Sequence, residues 1–463
     1  MHLRTTIQLL LAELALTWCL PSAATAQDTR HVVEPTIPPA CQTLEARIGR
    51  AGLSIQFEDE SKPDTARIQA AIDGCPEGRA VVLRRAAVRT DAFLSGPLTL
   101  KKGVVLVVDR GAFLYASRNP RDYDTAPGLC GTITTGGARG CKALLSAVDA
   151  PGAGIMGDGV IDGRGGETML GKDISWWNLA DRARAGGSHQ APRLVQLAHC
   201  DNFTLYRITL QNAAQFHVSY SGGDGLTAWG VKLLTPPRAR NTDGIDPANS
   251  TNVTIAHCWI STGDDHVAIK AGAGPPTRHI SIVHNHFYAG HGMSIGSETE
   301  GGASDILVSD LSIEGADNGL RIKSNNTRGG LVRGVTYEDV CIRDTPEPVV
   351  METGYGDPNT KSAAGGARIP VYRDIALRNV RVEGAGRVTL EGFDDNHRLG
   401  IRFDNVVFDD PEQMRVAAAH ADVRIGPGPF NLAARGEGVT VSGNAGAGAK
   451  NACSGKFADF PGH

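Results

Sequence analysis

Aromatic side chains are scarce in this chain, at 5%, and no basic stripe or tail offsets the small net charge of -4. An electrostatic footprint for nucleic acid is therefore missing, and no nucleic-acid partner is expected. Beyond the N-terminus no apolar run approaches spanning length, which removes the signal of a membrane helix. There is no Cys-x-x-Cys and no His/Cys spacing of a zinc site, so no metal or other cofactor is expected.

Glycine, by contrast, is in excess. It supplies 57 of 463 residues, about 12% against an average near ~7%, which suits a chain that turns often and needs residues tolerant of positive φ. Residues 1–26 read as an export signal: His2 and Arg4, a mostly apolar run from Ile7 to Leu20, and Ala24-Thr25-Ala26 before Gln27. A secreted protein, free in the periplasm only in transit, is the expectation. Nine cysteines are present, eight of them after that segment, consistent with disulfides. Cys41 with Cys75 and Cys130 with Cys141 are plausible local pairs, whereas Cys200, Cys258, Cys341 and Cys453 have no connectivity legible from spacing, and buried thiols would satisfy them equally.

Residues 27–463 read as one catalytic unit with an N-terminal cap region. Thr65 to Ile72 has a helical pattern, with Asp64 placed to cap it and Gly74 near its end, and would close the open end of a repeat structure. From about residue 80 one shape recurs, a small polar residue followed by alternating apolar positions. It appears at Asn202-Phe203, Gly225-Leu226, Asn252-Val253, His279-Ile280, Asp305-Ile306 and Gly334-Val335, with weaker copies at Ile375 and Ile401. The first apolar positions differ by 23, 27, 27, 26 and 29 residues. A β-sandwich would turn every 8 to 12 residues; this period instead predicts an all-β, right-handed parallel β-helix, a single solenoid of about ten turns. The end of the chain, from about residue 427, reads as a Gly-rich loop with a last strand and tail.

Four stretches recur at nearly the same interval: Asn241-Thr242-Asp243, Gly263-Asp264-Asp265, Gly290-His291-Gly292 and Arg321-Ile322-Lys323. Steps of 21, 27 and 30 residues from Asp243 to Asp264, His291 and Arg321 place three carboxylates, an imidazole and two cations on one face, roughly one ~4.8 Å rung apart. Packing acids together costs Coulomb energy, so the cluster binds a cation or performs acid/base chemistry. Asp243, Asp264 and Asp265 could hold Ca²⁺ through oxygen, but Arg321 and Lys323 would crowd it. One carboxyl raised by its neighbours can donate a proton while others activate water, the division of labour in glycoside hydrolysis.

These segments, extended as Asn241-Thr242-Asp243-Gly244-Ile245-Asp246, Gly263 to Lys270 (GDDHVAIK), Gly290 to Ser297 (GHGMSIGS) and Arg321-Ile322-Lys323, resemble the four signatures of polygalacturonases, glycoside hydrolase family 28, of bacterial type. His266 stands where fungal members usually carry Cys. The resemblance implies hydrolysis of α-1,4-galacturonosyl bonds with inversion, with Asp264 as general acid and Asp243 and Asp265 orienting and deprotonating water. It further implies that His291 tunes the acid, that Arg321 and Lys323 hold a substrate carboxylate, that Asn241 adds hydrogen bonds, and that Tyr355 flanks a subsite. Inversion wants acid and base some ~6.5 to 9.5 Å apart. A uronate polymer would need cations such as Arg321, Lys323 and Lys270 to offset the acids. A monomer acting within the polymer (endo) is the expectation. The alternatives are an exo-acting or rhamnogalacturonan hydrolase, a Ca²⁺-dependent pectate lyase, and a non-catalytic carbohydrate-binding solenoid. Inserts near 120–140 and 165–190 would decide how open the groove is.

Overall fold

A computed structural model describes residues 27–136, 139–356, 368–448 and 452–462; the export signal assigned to 1–26 lies outside the described residues. The chain winds as a right-handed parallel β-helix. One long sheet of eleven parallel strands runs from Leu98–Thr99 through Leu145–Val148, Val195–Ala198 and Val218–Ser221 to Met414–Ala419, one strand per turn. The expected solenoid of about ten turns thus shows eleven strands on this face among the described residues. A second, twenty-stranded sheet closes the coil. In the early turns it is split at a corner, as in Phe203–Tyr206 and Thr209–Gln211, and from Thr277–Phe287 onward each turn crosses that corner as one bent strand.

The sequence repeat is the hydrogen-bonding register. Phe203 pairs with Leu226, Leu226 with Val253, Val253 with Ile280, Ile280 with Ile306, Ile306 with Val335, Val335 with Ile375 and Ile375 with Ile401. Every member is 3% exposed or less. A buried aliphatic side chain contributes about 1.5–3 kcal/mol, so this column is a large share of the core. The polar residue before each has a structural cause: Asn202, Asn252, His279 and Asp305 adopt φ of 53°, 54°, 60° and 57°. A left-handed corner favours Gly, Asn, Asp or His, which is why the motif reads that way.

The N-terminal helix spans Thr65–Gly74 and buries Ile68, Ala71 and Ile72 against the first turns. Asp64 stands at its start, but its carboxylate pairs with Arg67 at 2.7 Å and makes no cap to the backbone. Cys41–Cys75 and Cys130–Cys141 are bonded. Cys341 joins Cys453 across 112 residues, and Cys200 and Cys258 are buried free thiols, Cys258 pushed up to about 12 by burial. The two inserts touch: Ile133–Thr134 pairs antiparallel with Ser188–His189, beside the helix Trp176–Arg182. The last strand is Thr440–Gly443.

Candidate active site

All the catalytic candidates lie on the eleven-stranded face. In that sheet Ile245 pairs with Val267, Val267 with Met293, Met293 with Leu320 and Leu320 with Val349. Asp243, Asp265 and His291 each precede their paired apolar residue by two positions, so the one-rung counterpart of Asp243 is Asp265, and Asp264 is offset by one. Close backbone approach explains the flanking glycines: a Cβ on Gly263 would lie 2.1 Å from the carbonyl oxygen of Ala239, and Gly292 has φ +85° with no room beside Asn318.

Asp264 and His291 form one unit. The imidazole Nδ1 is 3.1 Å from Asp264 Oδ1, and His291 N–H donates to the Asp264 carbonyl at 2.8 Å. Burial acts to raise the Asp264 pKa, but the hydrogen bond and charge of His291, with Lys323, outweigh it and bring it down to about 2. The same hydrogen bond raises His291 against its own burial. Both shifts favour a charged imidazole next to an ionised Asp264.

Asp265 is held from both oxygens. Ser294 Oγ donates to Oδ1 at 2.7 Å and Lys323 Nζ to Oδ2 at 2.7 Å. Lys323 is 4% exposed; burial acts to strip its proton, but the Asp265 charge holds its pKa up. The expected carboxylate clamp thus already has a carboxylate, one belonging to the protein, because a lysine this deep is stable only when paired. Arg321 likewise pairs with Glu352 at 3.0 Å. Both cations lie over the Tyr355 ring, at 5.1 and 5.0 Å from its centre.

Asp243 is buried, with one oxygen unpartnered among the described residues. Burial, the charge of Asp246, and the charges of Asp264 and Asp265 raise its pKa well above the usual range despite Lys270. Lys270 sits 3.4 Å from Asp243 and 3.0 Å from Asp246. Two positioning groups escape sequence reading. His217 donates its backbone N–H to the Asp243 carbonyl at 2.8 Å and lies 3.1 Å from it through Nδ1, while Nε2 faces Thr235 Oγ1 at 2.7 Å. Burial lowers its pKa to about 4, so it is a neutral brace. The other is Asp246, which shares Lys270; its place in the Asn-Thr-Asp-Gly-Ile-Asp stretch was the available signal.

A cavity of about 530 Å³ opens over these residues, lined by Asn241, Asp264, His291, Tyr355, Arg240 and Arg184 among others. Asp243, Asp265 and Lys323 are buried and Arg321 half-buried, outside that lining. Tyr355 is thus part of the cleft wall. A second hollow of about 220 Å³ on earlier turns of the same face is lined by Arg139, Arg193 and Gln196. Asp264, Asp265 and His291 bring one possible ligand atom each within 4.8 Å of one another. With Asp265 occupied by an ammonium and Asp264 by an imidazole, that set is an ion-pair network more than a cation cage. Those nearest oxygens of Asp264 and Asp265 also lie closer than the separation expected of an acid and base flanking water, since the two are adjacent in sequence. His266, at the position of the fungal Cys, is fully buried, stacks on Phe287 at 4.7 Å, and takes Gly292 N–H on Nδ1 at 3.0 Å.

The family model for glycosyl hydrolases family 28 matches residues 129–422. A polygalacturonase of Ralstonia nicotianae is 40% identical over 92% of this chain and 92% of that protein. An endo-polygalacturonase of Pectobacterium parmentieri is 43% identical over 83% of this chain and 90% of that protein. The solved structure of the polygalacturonase from Erwinia carotovora ssp. carotovora superposes with TM-score 0.73 and 37% identity, covering 92% of this chain and 99% of that one. With its solenoid, its acid cluster and these matches, the chain belongs to glycosyl hydrolases family 28.

Proposed function

We propose that the protein is a secreted, monomeric endo-polygalacturonase that hydrolyses α-1,4-galacturonosyl bonds with inversion. The observation that carries this is the Asp264–His291 pair on the cavity wall, with Asp243 and Asp265 buried and Arg321, Lys323 and Lys270 threaded between the acids. Asp264 is the proton donor to the leaving oxygen, supplied by His291. A carboxyl with a pKa near 2 is a poor acid alone, but a charged imidazole at 3.1 Å holds a proton that moves onto Asp264 as bound sugar excludes water and negative charge leaves the carboxylate. Asp243 and Asp265 orient and deprotonate the attacking water on the other side. Arg321, Tyr355 and Asn241 hold the neighbouring uronate, and Lys323 acts on it through Asp265.

Endo action is supported by the polar face continuing onto earlier turns, where Arg139, Arg193 and Gln196 offer further sugar contacts. The test follows viscosity and reducing ends together on polygalacturonate, with the product anomer read by proton NMR. A rapid fall in viscosity at low reducing-end yield, with β-configured product first, is expected. Galacturonate monomer from the earliest times would mean exo action. Absorbance from an unsaturated product, dependent on Ca²⁺, would mean a lyase.

A further inference from the structure

A groove larger than the cavity over Asp264 lies outside the catalytic sheet. It encloses about 880 Å³, against about 530 Å³ over Asp264, and runs along the corner of the twenty-stranded sheet. Its floor is one outward column in parallel register, Phe113, Val160, Thr209, Lys232 and Trp259. Those four steps span roughly 19 Å at ~4.8 Å per rung. Trp229 and His257 form one wall, their rings 4.5 Å apart. None of these rings is fully buried.

The charge of the groove runs against that of the protein. Four cations line it, Arg50, Arg110, Arg207 and Lys232, against two carboxylates, Glu34 and Asp158, with Asp91 pairing Arg50 at 2.9 Å as that guanidinium lies over Phe113, in a chain of net charge -4. Arg110 and Arg207 share Asp158, at 2.9 and 2.7 Å. Lys232 has no carboxylate within ion-pair distance among the described residues. Indole faces beside guanidinium and ammonium groups form a surface for sugar rings that carry carboxylates: the ring C–H faces stack on the aromatics while the forked cations take the acid groups.

We propose that this groove is a second, non-catalytic binding site for an anionic polysaccharide of the uronate class, retaining the enzyme on the polymer that its other face cuts. The inference rests on the polygalacturonase reading for the identity of the polymer. The paired variant Trp259→Ala with Lys232→Gln removes the floor of the groove without touching the catalytic sheet. Native electrophoresis through gels containing polygalacturonate, in an Asp264→Asn background that spares the polymer, reads binding. The same pair in the otherwise native enzyme is assayed on a trigalacturonate, too short to occupy both faces. Retardation by polygalacturonate should weaken about tenfold, while trimer turnover stays within about twofold. Unchanged retardation overturns the proposal, as does equal retardation by DNA or by a neutral glucan. If the native protein is retarded through this groove but hydrolyses neither trimer nor polymer, the catalytic reading fails and the groove stands. Should the pair not fold, Lys232→Gln alone, or Arg207→Asn, which keeps a residue suited to the corner φ of 60°, carries the same test.

Discussion

At the scale of single residues the site is a chain of shared protons and paired charges. Asp264→Asn keeps shape and hydrogen bonding but cannot pass on the imidazole proton, so turnover should fall by three orders of magnitude or more, on the order of 10³-fold, with the folded state intact by circular dichroism. More than about a tenth of native turnover in that variant would remove Asp264 from the role of acid. The pH profile has a definite sign. In the proposed mechanism His291 is charged to supply the proton, and its pKa is raised, so activity should persist above the ordinary imidazole value of about 6.5 and fall only beyond it. His291→Asn should abolish that alkaline limb along with most of the rate. Stability carries the matching signs: the raised His291 stabilises below about 6.5 and loses this as pH rises through its folded value, whereas the lowered Asp264 stabilises above about 3.9 and loses this toward about 2. Lys323 separates binding from structure. Because its removal strands a buried Asp265, Lys323→Ala should cost about 3–5 kcal/mol in urea unfolding as well as turnover, while Arg321→Ala, nearer the cleft, should chiefly raise KM. Equal stability of Lys323→Ala and native protein would mean that Asp265 is not held by that ammonium.

At the scale of the strand and its turns the sequence was most transparent. The aligned positions from Phe203 to Ile401 are literal hydrogen-bonding partners, because in a solenoid the same backbone corner recurs each turn and imposes the same residue types. The carboxylates, histidine and cations were legible as neighbours for that reason. Pairings inside the cluster were not: that Lys323 grips Asp265, or that Arg321 turns to Glu352, depends on side-chain reach in a dry layer, which carries no period. His217 was invisible because a brace acting through a backbone carbonyl needs no motif. The corner argument is itself testable at Asp305, φ 57°. Asp305→Val places a β-branched residue in left-handed backbone and should cost about 1–3 kcal/mol, whereas Asp305→Gly should be close to neutral. If urea unfolding ranked the two alike, the left-handed corner would not be what selects the repeat.

At the scale of the whole molecule, a solenoid is stabilised turn by turn, so damage at one end should stay there. The C-terminal tail provides the test. It returns along the coil, pinned by Cys341–Cys453, by Lys456 to Asp310 at 2.6 Å and by the Tyr288 hydroxyl donating to the Ala458 carbonyl at 2.8 Å. This disulfide was illegible in the sequence because 112 residues separate two cysteines that the coil brings side by side. Closing so long a loop restricts the unfolded chain by about 4–5 kcal/mol in the chain-entropy account. Cys453→Ser should therefore lower the resistance of the last turns to denaturant. The proposed catalytic residues lie between Asp243 and Tyr355, in turns that stack on neighbours at both ends; the tail meets these turns at Tyr288, Asp310 and Cys341, while the bonds of Asp264 to His291 and of Asp265 to Ser294 and Lys323 do not run through it. Hydrogen exchange in Cys453→Ser should accordingly speed up in the strands Gly386–Glu391 and Met414–Ala419 while Val267–Ile269 and Met293–Gly296 keep native protection, with activity at 25 °C retained. Loss of protection in those inner strands at the same denaturant concentration would show that the coil unfolds as one unit and that the tail clamps the active site as well as the end.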